Sequence, residues 1–168
     1  IKTRIGFYDK DEFPAILELY NRYPIKELTI HPRIRAQFYK GSVDMEVFRY
    51  AMEHSKNPLC YNGDLNTKEN IDRVQKDYPE VEAVMIGRGL IARPDMLSTD
   101  KADSQKLIAF YDALLEAYLI AFGGSRNAMF RLKEHWHYLL PCFADSEKLG
   151  KKLRKTTDLL EFQQITTE

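Results

Sequence analysis

Apolar residues in the first half of the chain come in four short bursts, at Ile1 to Ile5, Glu27 to His31, Pro58 to Asn62 and Glu82 to Gly87. Each burst has the length of a β-strand, and between them apolar residues return every three or four positions, the period of a helix with one buried face. The first such stretch runs from about Glu12 to Tyr23, with Phe13, Ile16, Leu17 and Tyr20 in register and Pro14 where a first helical turn tolerates it. The second, from Val43 to His54, aligns Val47, Phe48, Ala51 and Met52. The third, from about Thr67 to Tyr78, follows Asn66 with Glu69 three residues on, close to a capping box. Strands and helices alternating through short connections predict right-handed βαβ units and a parallel sheet. Four such units leave two open edges. Half of a (β/α)8 barrel fits that count, and an ordinary doubly wound sheet fits it too.

After Pro94 the pattern is helical only. Ser104 to Phe122 carries a broad apolar stripe through Leu107, Tyr111, Leu115 and Tyr118 and stops at Gly123-Gly124. Ser125 to Leu140 is a second long helix ended by Pro141, and Ser146 to about Phe162 holds one or two more. The predicted organisation is therefore an α/β region over residues 1–98 and a helical bundle over 99–168. The opening Ile1-Lys2-Thr3-Arg4-Ile5-Gly6 looks like a strand already under way, which reads as the start of a fragment.

Composition narrows the class. Of 168 residues, 44% are hydrophobic and 30% charged, enough apolar material for one core plus a small bundle. Lys plus Arg and Asp plus Glu are both 25, so any affinity for nucleic acid must come from local patches. Cys60 and Cys142 stand far apart with no CxxC pattern, which disfavours a disulfide scaffold or a zinc site and fits a reducing, cytoplasmic setting. No apolar run has membrane-spanning length.

Candidate chemistry gathers at the predicted strand ends, where α/β folds place working residues. Lys2 and Arg4, two apart on one strand, project to one face. They either meet an anionic or polar ligand or remain solvated at a frayed end. His31-Pro32-Arg33-Ile34-Arg35 concentrates donors at the mouth of the second strand, suited to an anionic or carbonyl-rich ligand. Asn62-Gly63-Asp64 and Gly87-Arg88-Gly89 follow the third and fourth strands, with glycines where backbone N–H groups can approach a phosphate. Each alone is also an ordinary turn; their joint placement favours phosphate binding, as in barrels that hold a phosphate with the loops after the last two strands. In the helix after Gly124, Met129, Leu132, Trp136 and Leu139 share the core face, while Arg131, Lys133, His135 and His137 point elsewhere, either as a solvated basic face or as a surface for nucleic-acid phosphates. His135 and His137 are two apart on a helix, so they do not make a metal site.

Taken as an ordered set, these motifs resemble the tRNA-dihydrouridine synthase family: Lys2-Thr3-Arg4-Ile5-Gly6 its K-x-R-x-G strand, and His31 to Arg35 with Gln37, Tyr39 and Gly41 its H-x-R-x-R segment. Asn62-Gly63-Asp64 resembles its N-G-D loop, Met85-Ile86-Gly87-Arg88-Gly89 its M-I-G-R-G strand end, and Leu132 to Trp136 part of its helical domain. The resemblance implies the C-terminal half of an FMN-binding (β/α)8 TIM barrel followed by a helical domain that helps hold tRNA. It implies that Lys2 and His31 contact the flavin and that Asn62, Gly63, Asp64, Gly87, Arg88 and Gly89 surround the FMN phosphate. It further implies that Arg4 faces a flipped-out uridine and that Arg33, Arg35 and Lys133 are candidates for tRNA contact. NADPH would supply the electrons that convert uridine to 5,6-dihydrouridine. The family's catalytic cysteine lies upstream, and neither Cys60 nor Cys142 matches it, so no catalytic residue is assigned here and these residues alone are expected to be inactive. Pro32 replaces the small residue that usually follows the histidine. Two alternatives stay open, an FMN-dependent barrel oxidoreductase acting on a small molecule and a non-catalytic RNA-binding module. Open strand edges also predict self-association.

Overall fold

Four parallel strands lie side by side in chain order: β1 (Lys2–Arg4), β2 (Leu28–His31), β3 (Leu59–Asn62) and β4 (Ala83–Met85). The computed structural model describes residues 1–98 and 103–167. Helices α1 (Phe13–Tyr20), α2 (Met45–His54) and α3 (Lys68–Asp77) connect the strands, which realises the βαβ alternation expected from the apolar spacing. No described helix is long and apolar enough to cross a membrane.

The helix starts are set by side chains that satisfy otherwise orphaned backbone donors. Glu12 accepts from the backbone N–H groups of Phe7, Tyr8 and Asp9, so the chain enters through a 3-10 turn, Lys10–Glu12, and α1 begins at Phe13 with Pro14 in its first turn. Those three bonds hold the Glu12 carboxyl below its ordinary pKa. Asp44 caps α2 by accepting from Val47 N–H. The cap of α3 is Thr67, accepting from Asn70 N–H, one residue after the Asn66 read from the sequence; Thr67 holds the extended backbone that a capping residue needs.

Register gives the sheet two unlike faces. Thr3 pairs with Ile30, Ile30 with Tyr61, and Tyr61 with Val84, so these four share one face. That face packs on the helices: Tyr20 Oη donates to Thr3 Oγ1 at 3.3 Å, and the Phe48 ring of α2 meets Tyr61 edge-on at 4.9 Å. Phe48 is wholly buried, and truncating such a ring costs about 3–5 kcal/mol. The other face carries a continuous row, Lys2, Thr29, Cys60 and Ala83. Above it, toward the strand C-termini, stand Arg4 beside His31 and Asn62 beside Met85. A parallel sheet buried on both faces has near-continuous apolar strands. This second face is polar instead, and most polar where the strands end.

Residues Ile1–Gly87 and Arg88–Glu168 form two compact units. The division falls at 87/88, whereas the sequence reading places it at 98/99. The reason is the short helix α4 (Arg88–Ala92), which packs within the helical unit: Tyr111 donates its hydroxyl to Ile91 O at 3.2 Å. That unit continues with α5 (Ser104–Phe122), α6 (Ser125–Leu139), α7 (Ser146–Lys155) and α8 (Leu159–Thr167). Gly123, in the left-handed region at φ +63°, ends α5 and lets the chain turn into α6. Leu115, Met129, Leu132, Trp136, Leu153 and Phe162 supply its core. Pro141 sits in a 3-10 turn, Leu140–Cys142, so α6 ends at Leu139.

Candidate functional site

Beyond the C-terminal ends of β2 and β3 the chain builds a partly buried ionic fork. Arg33, two residues beyond β2, is 1% exposed. Its Nη1 donates to Asp64 Oδ1 at 2.9 Å, and its Nη2 to Asp64 Oδ2 at 2.6 Å and to the Gly41 carbonyl at 2.5 Å. This is the two-pronged geometry in which guanidinium and carboxylate attract most strongly. Nη1 also lies 3.1 Å from His31 Nε2. The Arg33 Nε is buried and has no hydrogen-bond partner. Asp64 is held in the left-handed region at φ +49°, which aspartate tolerates better than most residues.

The fork ties three loops together. Backbone bonds from Ile5 N–H to Arg33 O, Arg35 N–H to Gly6 O and Ala36 N–H to Phe7 O fasten the loop after β2 to the loop after β1. Arg4 Nη1 donates to Ile34 O at 2.8 Å, and its guanidinium lies 5.4 Å from the Tyr39 ring centroid. The same Tyr39 ring is 6.1 Å from the His31 imidazole, and it is exposed. Cation, imidazole and aromatic ring are thus gathered at the strand ends. Phe38 beside it has φ +52°, an uncommon conformation for a bulky residue and a sign of local strain.

Electrostatics keep the site's histidine neutral. Burial lowers the His31 pKa to about 4, helped by the positive charges of Arg4, Arg33 and Lys2 and opposed by Asp64. Cys60, on the same face as His31, is buried, and burial raises its thiol pKa, so at neutral pH it remains a thiol. Cys142 is exposed. Among the described residues no group of His, Cys, Asp or Glu could hold a metal ion.

The remaining candidates fall in several settings. Lys2 is exposed on β1, and Arg4 is half-buried. Asn62 donates from Nδ2 to Met85 O at 2.7 Å, locking the ends of β3 and β4 together. Gly63 is buried, and a Cβ there would stand 2.8 Å from Val43 Cγ1, so this glycine serves close chain packing. Gly87 is exposed, with open space where a Cβ would project. Arg88 and Gly89 begin α4, in the helical unit. Arg35 is exposed and stacks 4.5 Å over the Phe7 ring. Two tRNA-contact candidates sit where direct contact is hard to make. Arg33 has its guanidinium turned into the fork, and Lys133 is half-buried, donating to Thr156 O at 2.5 Å at the C-terminal end of α7. Burial lowers the Lys133 pKa.

A family model described as dihydrouridine synthase matches residues 1–165, a span that holds all of these motifs. The chain belongs to the dihydrouridine synthase family. Dihydrouridine synthases are oxidoreductases whose fold is a TIM barrel with a helical domain, and the four parallel βα units and helical unit seen here are of that kind. The chain is similar to a probable tRNA-dihydrouridine synthase of Rhizobium leguminosarum bv. phaseoli, 31% identical over 160 residues, covering 89% of this chain and 50% of that protein. A probable tRNA-dihydrouridine synthase of Rickettsia bellii is 32% identical over 103 residues, 58% of this chain and 30% of the relative. A tRNA-dihydrouridine(16) synthase of Shewanella oneidensis is 25% identical over 169 residues, 94% and 51% of the two chains. The chain spans at most about half the length of these curated relatives.

Two features of the chain are not apparent from its motifs. Asp64 reads as a phosphate-loop residue, yet its carboxylate is engaged by Arg33. On α7, Lys148, Lys151, Lys152 and Lys155 stand at i, i+3, i+4 and i+7 and line one shallow depression. Their spacing is visible in the sequence, where a row of lysines reads first as a solvated helix face.

Proposed function

We propose that the protein to which these residues belong is an FMN-dependent tRNA-dihydrouridine synthase that reduces uridine to 5,6-dihydrouridine in tRNA with electrons from NADPH. The observation that carries this reading is the polar face of the sheet, where Arg4 stands beside His31 at the strand ends, both near the exposed ring of Tyr39, with Lys2 one step below on the same face. A flavin ring system has an acceptor-rich edge, and a lysine and a neutral imidazole N–H suit it without competing for its electrons. The open space at Gly87 supports close approach of an anion to the chain after β4.

In this reading FMN, when bound, supplies hydride chemistry that no side chain provides. Lys2 and His31 bind and orient the ring. Asn62, Gly63 and Asp64 after β3, and Gly87, Arg88 and Gly89 after β4, are the proposed phosphate-binding segments by their order in the chain. With the Asp64 carboxylate occupied by Arg33, that segment would offer backbone N–H groups and little net negative charge. Arg4 faces the extruded uracil, held by the Ile34 carbonyl so that its remaining donors are aimed. Arg35 is the strand-end candidate for a tRNA phosphate, being exposed and pre-ordered on Phe7. The helical unit, with the lysine row of α7, would add to the tRNA surface. Among the described residues no strand pairs with the outer edge of β1 or β4, which supports self-association of this chain when it stands alone, tested by light scattering.

The test is to purify the full-length protein, record its flavin absorbance, and supply unmodified tRNA and NADPH. Bound flavin and dihydrouridine in the product support the reading; absence of flavin from the folded protein overturns it.

A further inference from the structure

The fork at Arg33 is costlier than a loop clamp requires. A buried guanidinium loses several kcal/mol of hydration, and a hydrophobic plug of similar volume fastens loops equally well. What a plug lacks is a donor aimed at His31.

We propose that Arg33 is a positioning residue that fixes the tautomer of His31, leaving the imidazole with a lone pair at Nε2 and its single proton at Nδ1. A guanidinium can only donate, so the contact from Arg33 Nη1 to His31 Nε2 at 3.1 Å requires an unprotonated Nε2. Two anchors keep Nη1 in place. Asp64 holds both terminal nitrogens at 2.9 and 2.6 Å, and the Gly41 carbonyl holds Nη2 at 2.5 Å. Their placement comes from the strands they follow: Asp64 lies two residues beyond β3, and Arg33 N–H is itself bonded to His31 O at 2.7 Å. An imidazolium would set a second N–H against Nη1, so the same contact excludes the charged form. The other charged groups facing the ring are Arg4 and Lys2 from β1, which act in the same direction, and Asp64, which opposes them. The outcome is a histidine that presents one N–H, at Nδ1, as a neutral donor through the physiological range.

This assigns the second residue after the histidine a role in the chemistry of the strand end, through His31 and away from the solvent surface. What Nδ1–H meets rests on the flavin reading given above; the tautomer itself does not.

The experiment is heteronuclear NMR of His31 in the full-length protein labelled with 15N-histidine, recorded without and then with added FMN between pH 5.5 and 8. The expected spectrum shows a neutral ring protonated at Nδ1 with no titration in that window. In Arg33→Met the ring should exchange between tautomers, and its pKa should rise from about 4 only by the share due to the Arg33 charge, since burial and Arg4 still hold it down. Arg33→Lys, which keeps one cation beside Asp64 and a donor within reach of the ring, should restore part of the tautomer bias. A wild-type ring protonated at Nε2 overturns the inference with no variant needed, which covers the case where Arg33→Met does not fold. An unchanged tautomer in a folded Arg33→Met protein also overturns it. FMN titration separates the two levels. Loss of the tautomer with FMN affinity about fivefold weaker, the scale of one hydrogen bond, supports both. Loss of the tautomer with FMN affinity unchanged supports the clamp and overturns the flavin contact of His31.

Discussion

Arg33 and Asp64, thirty-one residues apart in sequence, meet as a two-pronged ion pair whose arginine is buried and whose aspartate is partly open to solvent. Removing one partner leaves the other in an environment chosen for a pair. Asp64→Asn should therefore destabilise the protein by about 2 kcal/mol, less than a fully buried pair would give because Asp64 is 40% exposed. Urea unfolding followed by tryptophan-independent circular dichroism reads this; a midpoint unchanged from wild type would show that the fork adds nothing to stability.

The two strand-end glycines should part company on substitution. At Gly63 an added methyl meets Val43 Cγ1 at 2.8 Å and Tyr61 Oη at 3.2 Å, so Gly63→Ala should cost about 1–3 kcal/mol through overpacking. At Gly87 an added methyl meets nothing, so Gly87→Ala should leave stability within about 0.5 kcal/mol of wild type. Any loss of flavin affinity in Gly87→Ala then reports on ligand approach and not on folding. Thermal melts beside FMN titrations make the comparison.

The neutral state of His31 sets a pH dependence. Its folded pKa of about 4 lies below its ordinary 6.5, so the unfolded chain binds more protons between those values. The stability this group contributes is complete above pH 6.5 and is lost as pH falls toward 4, up to about 3 kcal/mol in all. Unfolding free energies at pH 7.5 and 5 should differ in that direction, and His31→Gln should reduce the difference. An equal slope in the variant would assign the effect elsewhere.

Much of this was legible in the sequence because period and chemistry agreed. The 3.6-residue return of Phe13, Leu17 and Tyr20, or of Phe48 and Ala51, follows from helices packed on one sheet face, and α5 spans the Ser104 to Phe122 that its stripe and the Gly123 stop define. Lys2 and Arg4 share a face because alternation along a strand allows nothing else. Positions that depend on long-range pairing were not legible. Nothing local marks Arg33 as buried, since its partner Asp64 belongs to a different loop and its second anchor is a backbone carbonyl at Gly41. Lys133 likewise reads as a surface cation until α7 brings the Thr156 carbonyl to it. The 87/88 division was hidden because α4 is only five residues long, too short to carry a periodic signal of its own.

The two cysteines should differ in reactivity. Cys60 is buried with its thiol pKa raised, and Cys142 is exposed. Among these two, a thiol reagent should modify Cys142 first in the native protein and reach Cys60 only on unfolding. Peptide mass mapping after brief alkylation reads the order, and early labelling of Cys60 would show that the sheet face opens in solution.

In the function proposed, Lys2, Arg4 and His31, the last held by Arg33 and Asp64, form the flavin and uracil face of a tRNA-reducing enzyme. Its most direct test is a single-turnover reaction in which the full-length protein, reduced anaerobically with NADPH, is mixed with unmodified tRNA while flavin absorbance is followed and the tRNA is then digested for mass analysis. Reoxidation of bound flavin by tRNA, with dihydrouridine formed in proportion and both abolished in Arg4→Ala, is the result expected. Flavin that stays reduced with tRNA but is reoxidised by a small-molecule acceptor, or a folded protein that binds tRNA and no flavin, would contradict the claim.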